Sequence, residues 1–138
     1  KLRYNLNDEL LGLGRVASIG KVIKFRNDIG KFTISPTMGV LRPTLASRNF
    51  LFQVLKSNYI SEYFSTIISG STRSSVGMIV LRKVPIPVPK SLTEQTRIAT
   101  ILSDMDAELE ALEAQLGKAR KVKHGMMQEL LTGRVRLV

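Results

Sequence analysis

Hydrophobic positions in the second half of the chain fall into one long register. With Leu102, Leu109, Leu116 and Leu130 at position a of a heptad, Ile98, Met105, Leu112, Ala119 and Met126 take position d. This apolar 4-3 spacing is the signature of a coiled-coil seam. Ser91 and Glu94 have the S-x-x-E spacing of a capping box, which predicts the helix start, and Gly133 supplies a stop. A helix of about 40 residues at ~1.5 Å per residue spans roughly 60 Å. A single exposed seam of that length needs a partner helix. Lys123 falls on the seam, where a lone charge can set register or partner choice. Gly117 and Gly125 each weaken the helix by about 1 kcal/mol relative to alanine and mark where a kink could enter.

The first ninety residues have a different texture, with short apolar runs separated by turn residues. Asn5 to Leu13 carries turn-forming Asn7 and Asp8, then Glu9, Leu10, Leu11, Gly12 and Leu13, a short apolar run ended by Gly14 that predicts a buried strand. Lys21 to Phe25 and Lys31 to Ser35 flank Asn27, Asp28 and Gly30 and read as a hairpin. Met38 to Arg42 reads as a further strand, closed by Pro43. Ser47 then caps a predicted helix carrying Phe50, Leu51, Val54 and Leu55. Ile60, Tyr63, Phe64, Ile67 and Ile68 give a second amphipathic segment ending before Gly70. Val76 to Val84 is apolar again, and Pro85, Pro87 and Pro89 force an extended lead into the long helix. The fold class is α+β: a small sheet with helices, followed by one long helix.

At 138 residues and 43% hydrophobic, the chain can build one small domain plus the helix. It begins at Lys1 rather than at a methionine and so reads as a piece of something longer. No run approaches the ~18 apolar residues of a membrane span, and no signal segment opens the chain, so a cytoplasmic protein with no membrane partner is expected. The net charge of +10 is unevenly placed. Lys1 to Lys90 holds 14 Lys and Arg against 4 Asp and Glu, whereas the remainder holds 7 of each. The whole excess sits on the globular part, which predicts a polyanionic partner there and leaves the helix for protein contacts.

Catalytic chemistry is poorly supplied. With no cysteine and the single histidine His124, the chain has no ordinary nucleophilic triad, no thiolate metal site and no histidine cluster. Asp8, Glu9, Asp28 and Glu62 are the only carboxylates before the helix, too few and too scattered in sequence for paired acid and base work. Gly14 to Lys21 has five residues between its glycines and Val22 where a phosphate loop needs Ser or Thr. The Gly12-x-Gly14-x-x-Ala17 run resembles a dinucleotide fingerprint, but a strand rather than a helix is predicted next. The chain therefore reads as a binder with no catalytic and no metal residues.

For nucleic acid, the candidate contacts are Arg15, Lys21, Lys24, Arg26, Lys31 and Arg73, with Ser71, Thr72, Ser74 and Ser75 as short donors. Arginine on a loop can contact phosphates or form a bidentate pair with guanine. Ser69 to Ser75 also reads as a solvated connection. In the helix, Asp104, Asp106, Glu108, Glu110 and Glu113 precede Lys118, Arg120, Lys121 and Lys123. That order suits the helix dipole, and equally suits antiparallel pairing with a similar helix or a solvated face.

One junction has a family likeness. Leu92-Thr93-Glu94-Gln95, then Arg97-Ile98-Ala99, Ile101-Leu102-Ser103 and Asp106, preceded by Ile86-Pro87-Val88-Pro89, resembles the passage from recognition domain to long helix in type I restriction-modification specificity subunits. Gly125-Met126-Met127-Gln128-Glu129-Leu130-Leu131-Thr132-Gly133 resembles the end of that helix. Ser18 to Val22, Ile34-Ser35-Pro36 and Ser69 to Arg73 match the family's looser upstream pattern, and Thr93 stands where a proline is often seen.

The resemblance implies that residues 1–90 are part of a target recognition domain lacking its usual beginning, and that 91–138 form the long conserved helix. It implies double-stranded DNA as partner, one half of a split target read by this domain, and docking to methyltransferase (modification) subunits. S-adenosylmethionine and ATP then belong to partner subunits, with the restriction subunit joining through the complex. The expected helix and subunit interface is Ile98, Leu102, Met105, Leu109, Leu112, Leu116, Met126 and Leu130, facing a second long helix from the same subunit or another copy. A coiled-coil assembly module whose basic domain binds an acidic protein is the alternative reading.

Overall fold

The computed structural model describes residues 9–26, 34–69 and 75–137, in two compact units, Lys1–Thr100 and Ile101–Val138. The first unit contains three short strands: β1 (Leu11–Gly14), β2 (Val22–Lys24) and β3 (Met38–Leu41). They form one antiparallel sheet in the order β2-β1-β3, with Gly12 opposite both Ile23 and Val40. Alternation along β1 decides what each face carries. Leu11 and Leu13 enter the main core with Leu51, Leu55, Ile60, Phe64 and Val76. Gly12 lies between them, and a Cβ there would stand 2.8 Å from Ile23 Cγ1 and from Met38 Sδ.

The link from β1 to β2 is a closed turn. Gly14 N–H donates to the Lys21 carbonyl at 2.8 Å and Gly20 N–H to the Gly14 carbonyl at 3.1 Å. A Cβ at Gly14 would lie 2.1 Å from the Ser18 carbonyl oxygen, so only glycine fits. Ala17 adopts a left-handed φ of 59°. This turn makes β1 the hairpin partner of β2, whereas the sequence reading pairs Lys21 to Phe25 with Lys31 to Ser35. Residues 31–33 lie outside the described residues, as do Asn27, Asp28 and Gly30, and Ile34 and Ser35 are not in a strand. The Gly14–Lys21 stretch joins two strands and leads into no helix, so a phosphate there would have no helix N-terminus beside it.

Both predicted helices are present as α1 (Arg48–Lys56) and α2 (Asn58–Ser69). Ser47 caps α1 by accepting from Phe50 N–H at 3.2 Å. Phe50, Leu51 and Leu55 of α1 and Ile60 and Phe64 of α2 are buried. The apolar run after Val76 contains a further turn of helix, α3 (Met78–Leu81), with Gly77 at its N-cap. The proline-spaced lead has no regular secondary structure, and Val84 and Ile86 pack against the core.

α4 (Leu92–Leu131) is unbroken for 40 residues, through Gly117 and Gly125. Ser91 Oγ accepts from Glu94 N–H at 3.4 Å, so the predicted cap is formed. At the far end Gly133 takes a φ of 71°, and Val135 N–H returns to the Glu129 carbonyl at 3.1 Å. Within the first unit the helix buries Gln95 and Ala99, one turn apart. Gln95 is 1% exposed. Its Oε1 accepts from Ser47 N–H at 2.7 Å, and its Nε2 donates to the Pro89 carbonyl at 2.8 Å. In a capping box a Glu or Gln three residues into the helix reaches back to the N-cap amide. Phe50 occupies that position in α1 and cannot do so, and Gln95 supplies the missing acceptor from another helix.

Replacing Gln95 with Leu would strand one amide and one carbonyl. Each unpaired buried polar group costs roughly 1–3 kcal/mol, so a loss of about 2 kcal/mol or more in urea unfolding is expected. A loss below about 0.5 kcal/mol would show that water reaches both groups.

Candidate nucleic-acid interface

The basic candidates are divided between the two ends of the β1–β2 ribbon. Leu11 pairs with Lys24 and Leu13 with Val22, so Lys24 and Arg26 lie at one end while Arg15 and Lys21 lie at the other, about 13 Å away along the strand. Lys31, Ser71, Thr72, Arg73 and Ser74 lie outside the described residues.

Arg15 is tied down more than a surface phosphate contact requires. Its N–H donates to the Thr37 carbonyl at 2.8 Å, and its carbonyl accepts from Val76 N–H at 2.9 Å. Its Nε donates to the Val76 carbonyl at 3.0 Å. The side chain lies across Gly39, where a Cβ would come within 3.2 Å of Arg15 Cδ. The neighbouring Val16 forms a bridge with Ser75. Arg15 thus fixes residues 75 and 76, just after the hydroxyl-rich stretch singled out in the sequence. Lys21 is exposed at the end of the turn.

At the other end Lys24 places its ammonium 4.5 Å from the centre of the Phe52 ring. Arg26 is exposed. Sequence reasoning passed over three cations that the fold brings to this side. Lys56 lies 5.6 Å from the same Phe52 ring, a contact foreshadowed by their spacing of four on one helix. Arg48 Nη2 donates to the Phe25 carbonyl at 2.5 Å, while its Nε is buried without a hydrogen-bond partner. Arg42 and Arg48 share a shallow depression with Glu9, Pro43 and Ala46. Nothing in the sequence around Arg42 or Arg48 marks them.

The second unit offers a different surface. Leu102, Met105, Leu109, Leu112, Leu116 and Met126 are all exposed, Leu109 at 58%, while Leu130 is half buried. Ile98, in the first unit, is half buried. Late in the helix the apolar strip widens, with Val122 and Met127 joining Ala119, Met126 and Leu130 between Lys118 and Lys123. Among the described residues no group of three or more His, Asp or Glu side chains could hold a metal ion. No described helix is long and apolar enough to cross a membrane.

A basic α+β unit continued by a long helix with an open apolar seam is the make-up of a binding module. The chain belongs to the type I restriction-modification specificity family: the family model described as "Type I restriction modification DNA specificity domain" matches residues 3–119. It is 32% identical over 98 residues to a Mycoplasma pneumoniae protein whose name is that of a type I specificity subunit; the match covers 71% of this chain and 26% of that protein. It is 31% identical over 90 residues to the type I restriction enzyme MjaVIII specificity subunit of Methanocaldococcus jannaschii, covering 65% of this chain and 21% of that subunit. The matches thus span about a fifth to a quarter of these relatives' lengths.

The two ends of the ribbon should respond differently to substitution. Arg15→Lys keeps the charge but loses the Nε–H donated to Val76, and should cost about 1 kcal/mol in urea unfolding. Lys21→Gln, on an exposed turn, should stay within about 0.5 kcal/mol of the parent. Equal stability of all three proteins would remove the structural role given to Arg15.

Proposed function

We propose that this chain is the DNA sequence-reading part of a type I restriction-modification specificity subunit, without catalytic activity of its own. The observation that carries the reading is the family match over residues 3–119, which takes in the basic unit and most of the long helix. Electrostatics supports the division of labour. The excess positive charge lies before the helix, where Lys and Arg can neutralise phosphates, while the helix is balanced and leaves its apolar seam open. Phosphate contacts would set affinity and register, and the hydroxyl-rich stretch at 70–75 would read base edges.

On this reading the domain recognises one half of a split target. The seam from Leu102 to Leu130 pairs with a second long helix and presents the docking surface for methyltransferase subunits, with the restriction subunit joining through the complex. S-adenosylmethionine and ATP are used by those partner subunits. The relatives named as specificity subunits are several times longer than the matched stretch, which leaves room in them for a second domain of this kind.

Duplex selection followed by titration in rising salt tests the reading. The expected result is steep salt dependence together with a preference for one duplex over scrambled competitors. Equal affinity for every duplex would refute it, and preferential capture of an acidic protein would favour the assembly-module alternative. Leu109→Asp combined with Leu112→Asp should abolish helix pairing while leaving duplex binding by the basic unit in place. Light scattering that finds the same assembled mass as the parent would overturn the seam assignment.

A further inference from the structure

Lys24 and Lys56 share one aromatic ring although they come from different elements. Lys56 reaches Phe52 because the two stand four residues apart on α1, whereas Lys24 is delivered from β2. With ammonium groups 4.5 and 5.6 Å from the ring centre, the two charges are no more than about 10 Å apart. A ring face attracts each ammonium through its quadrupole and so holds both long side chains in place. Side chains ordered in advance lose less entropy when an anion arrives. One strand of a duplex presents a negative charge about every 3.4 Å along the axis, so two seats this close suit neighbouring phosphates on one strand.

We propose that Lys24, Phe52 and Lys56 form a two-phosphate seat for one strand of the DNA duplex, with Phe52 holding the lysines and the ammonium groups meeting the backbone. The proposal rests on the DNA-reading function above and adds Phe52 and Lys56 to the interface. A contact of this kind is blind to sequence, because it meets phosphate and no base edge.

Blindness to sequence sets the test, since random-sequence duplexes suffice as the probe. Binding of the full chain to short random-sequence DNA duplexes is measured from 50 to 200 mM salt for the parent, Lys56→Gln, Lys56→Arg and Phe52→Leu. Loss of one phosphate contact lowers the slope of log affinity against log salt by about 0.9, so the parent's advantage over Lys56→Gln should shrink about 3.5-fold across that range. Lys56→Arg should keep the parent slope. Phe52 also packs against the core, so Phe52→Leu is compared at equal folded fraction, where it should keep the slope yet bind more weakly because both charges remain and their placement is lost. A Lys56→Gln slope equal to the parent's overturns the seat and leaves the DNA-reading function standing. Full affinity in Phe52→Leu overturns the role of the ring. A parent chain that binds no duplex at any salt overturns both the seat and the DNA-reading function. Lys56 is exposed, so its replacement reports on binding without disturbing the core.

Discussion

A buried primary amide is satisfied only where a donor and an acceptor lie within reach of its two ends, and Gln95 occupies such a place. Its two hydrogen bonds join three pieces of chain far apart in sequence: the cap of α1, the end of the proline lead and the first turn of α4. Ser47 N–H would otherwise be an unpaired donor beneath the helix, and the Pro89 carbonyl an unpaired acceptor. Ala99, one turn further on and equally buried, is small enough to let the helix approach this closely. The Glu-Gln and Ile-Ala pairs in the junction thus have separate physical roles: Glu94 lies in the capped first turn, and Gln95 with Ala99 forms the packed face.

The same economy governs the sheet. Strands of three or four residues form few ladder hydrogen bonds, so β1 depends on close fitting by its neighbours. Gly12 admits Ile23 and Met38 against its backbone, and Gly14 lets the chain turn back under the Ser18 carbonyl. Arg15 continues the work with a backbone and a side-chain bond to residue 76. A cation picked out for its charge is therefore also a strut, so removing it outright alters structure and charge together.

Elements that announce themselves locally were legible in the sequence. The Ser47 cap, the paired amphipathic helices, the Ser91 start and the Gly133 stop depend on residues a turn or two apart, and each is present. The α+β class and the family likeness followed from these and from the junction. Pairing across the sheet was not legible, because β2 is too short to carry a period and the Asn-Asp-Gly sequence after it competes as a turn signal. α3 was missed because four apolar residues cannot display a helical repeat. The site was less legible than the fold. Phe52 is unmarked in the sequence and gains its place only when β2 brings Lys24 to it. Gln95, legible only as part of the junction motif, gains its partners only when α1 is set beside it.

The separation of charge from apolar surface has a further consequence. Added salt screens the attraction of a basic surface for a polyanion, but it does not weaken the burial of leucine and methionine, and strongly hydrated anions such as sulfate strengthen it. The basic unit and the open seam of Leu109 and its neighbours therefore answer to ionic conditions in opposite senses. On the proposed reading ionic strength acts as a selector: low salt favours the grip on a polyanion, and high salt favours association through the helix alone.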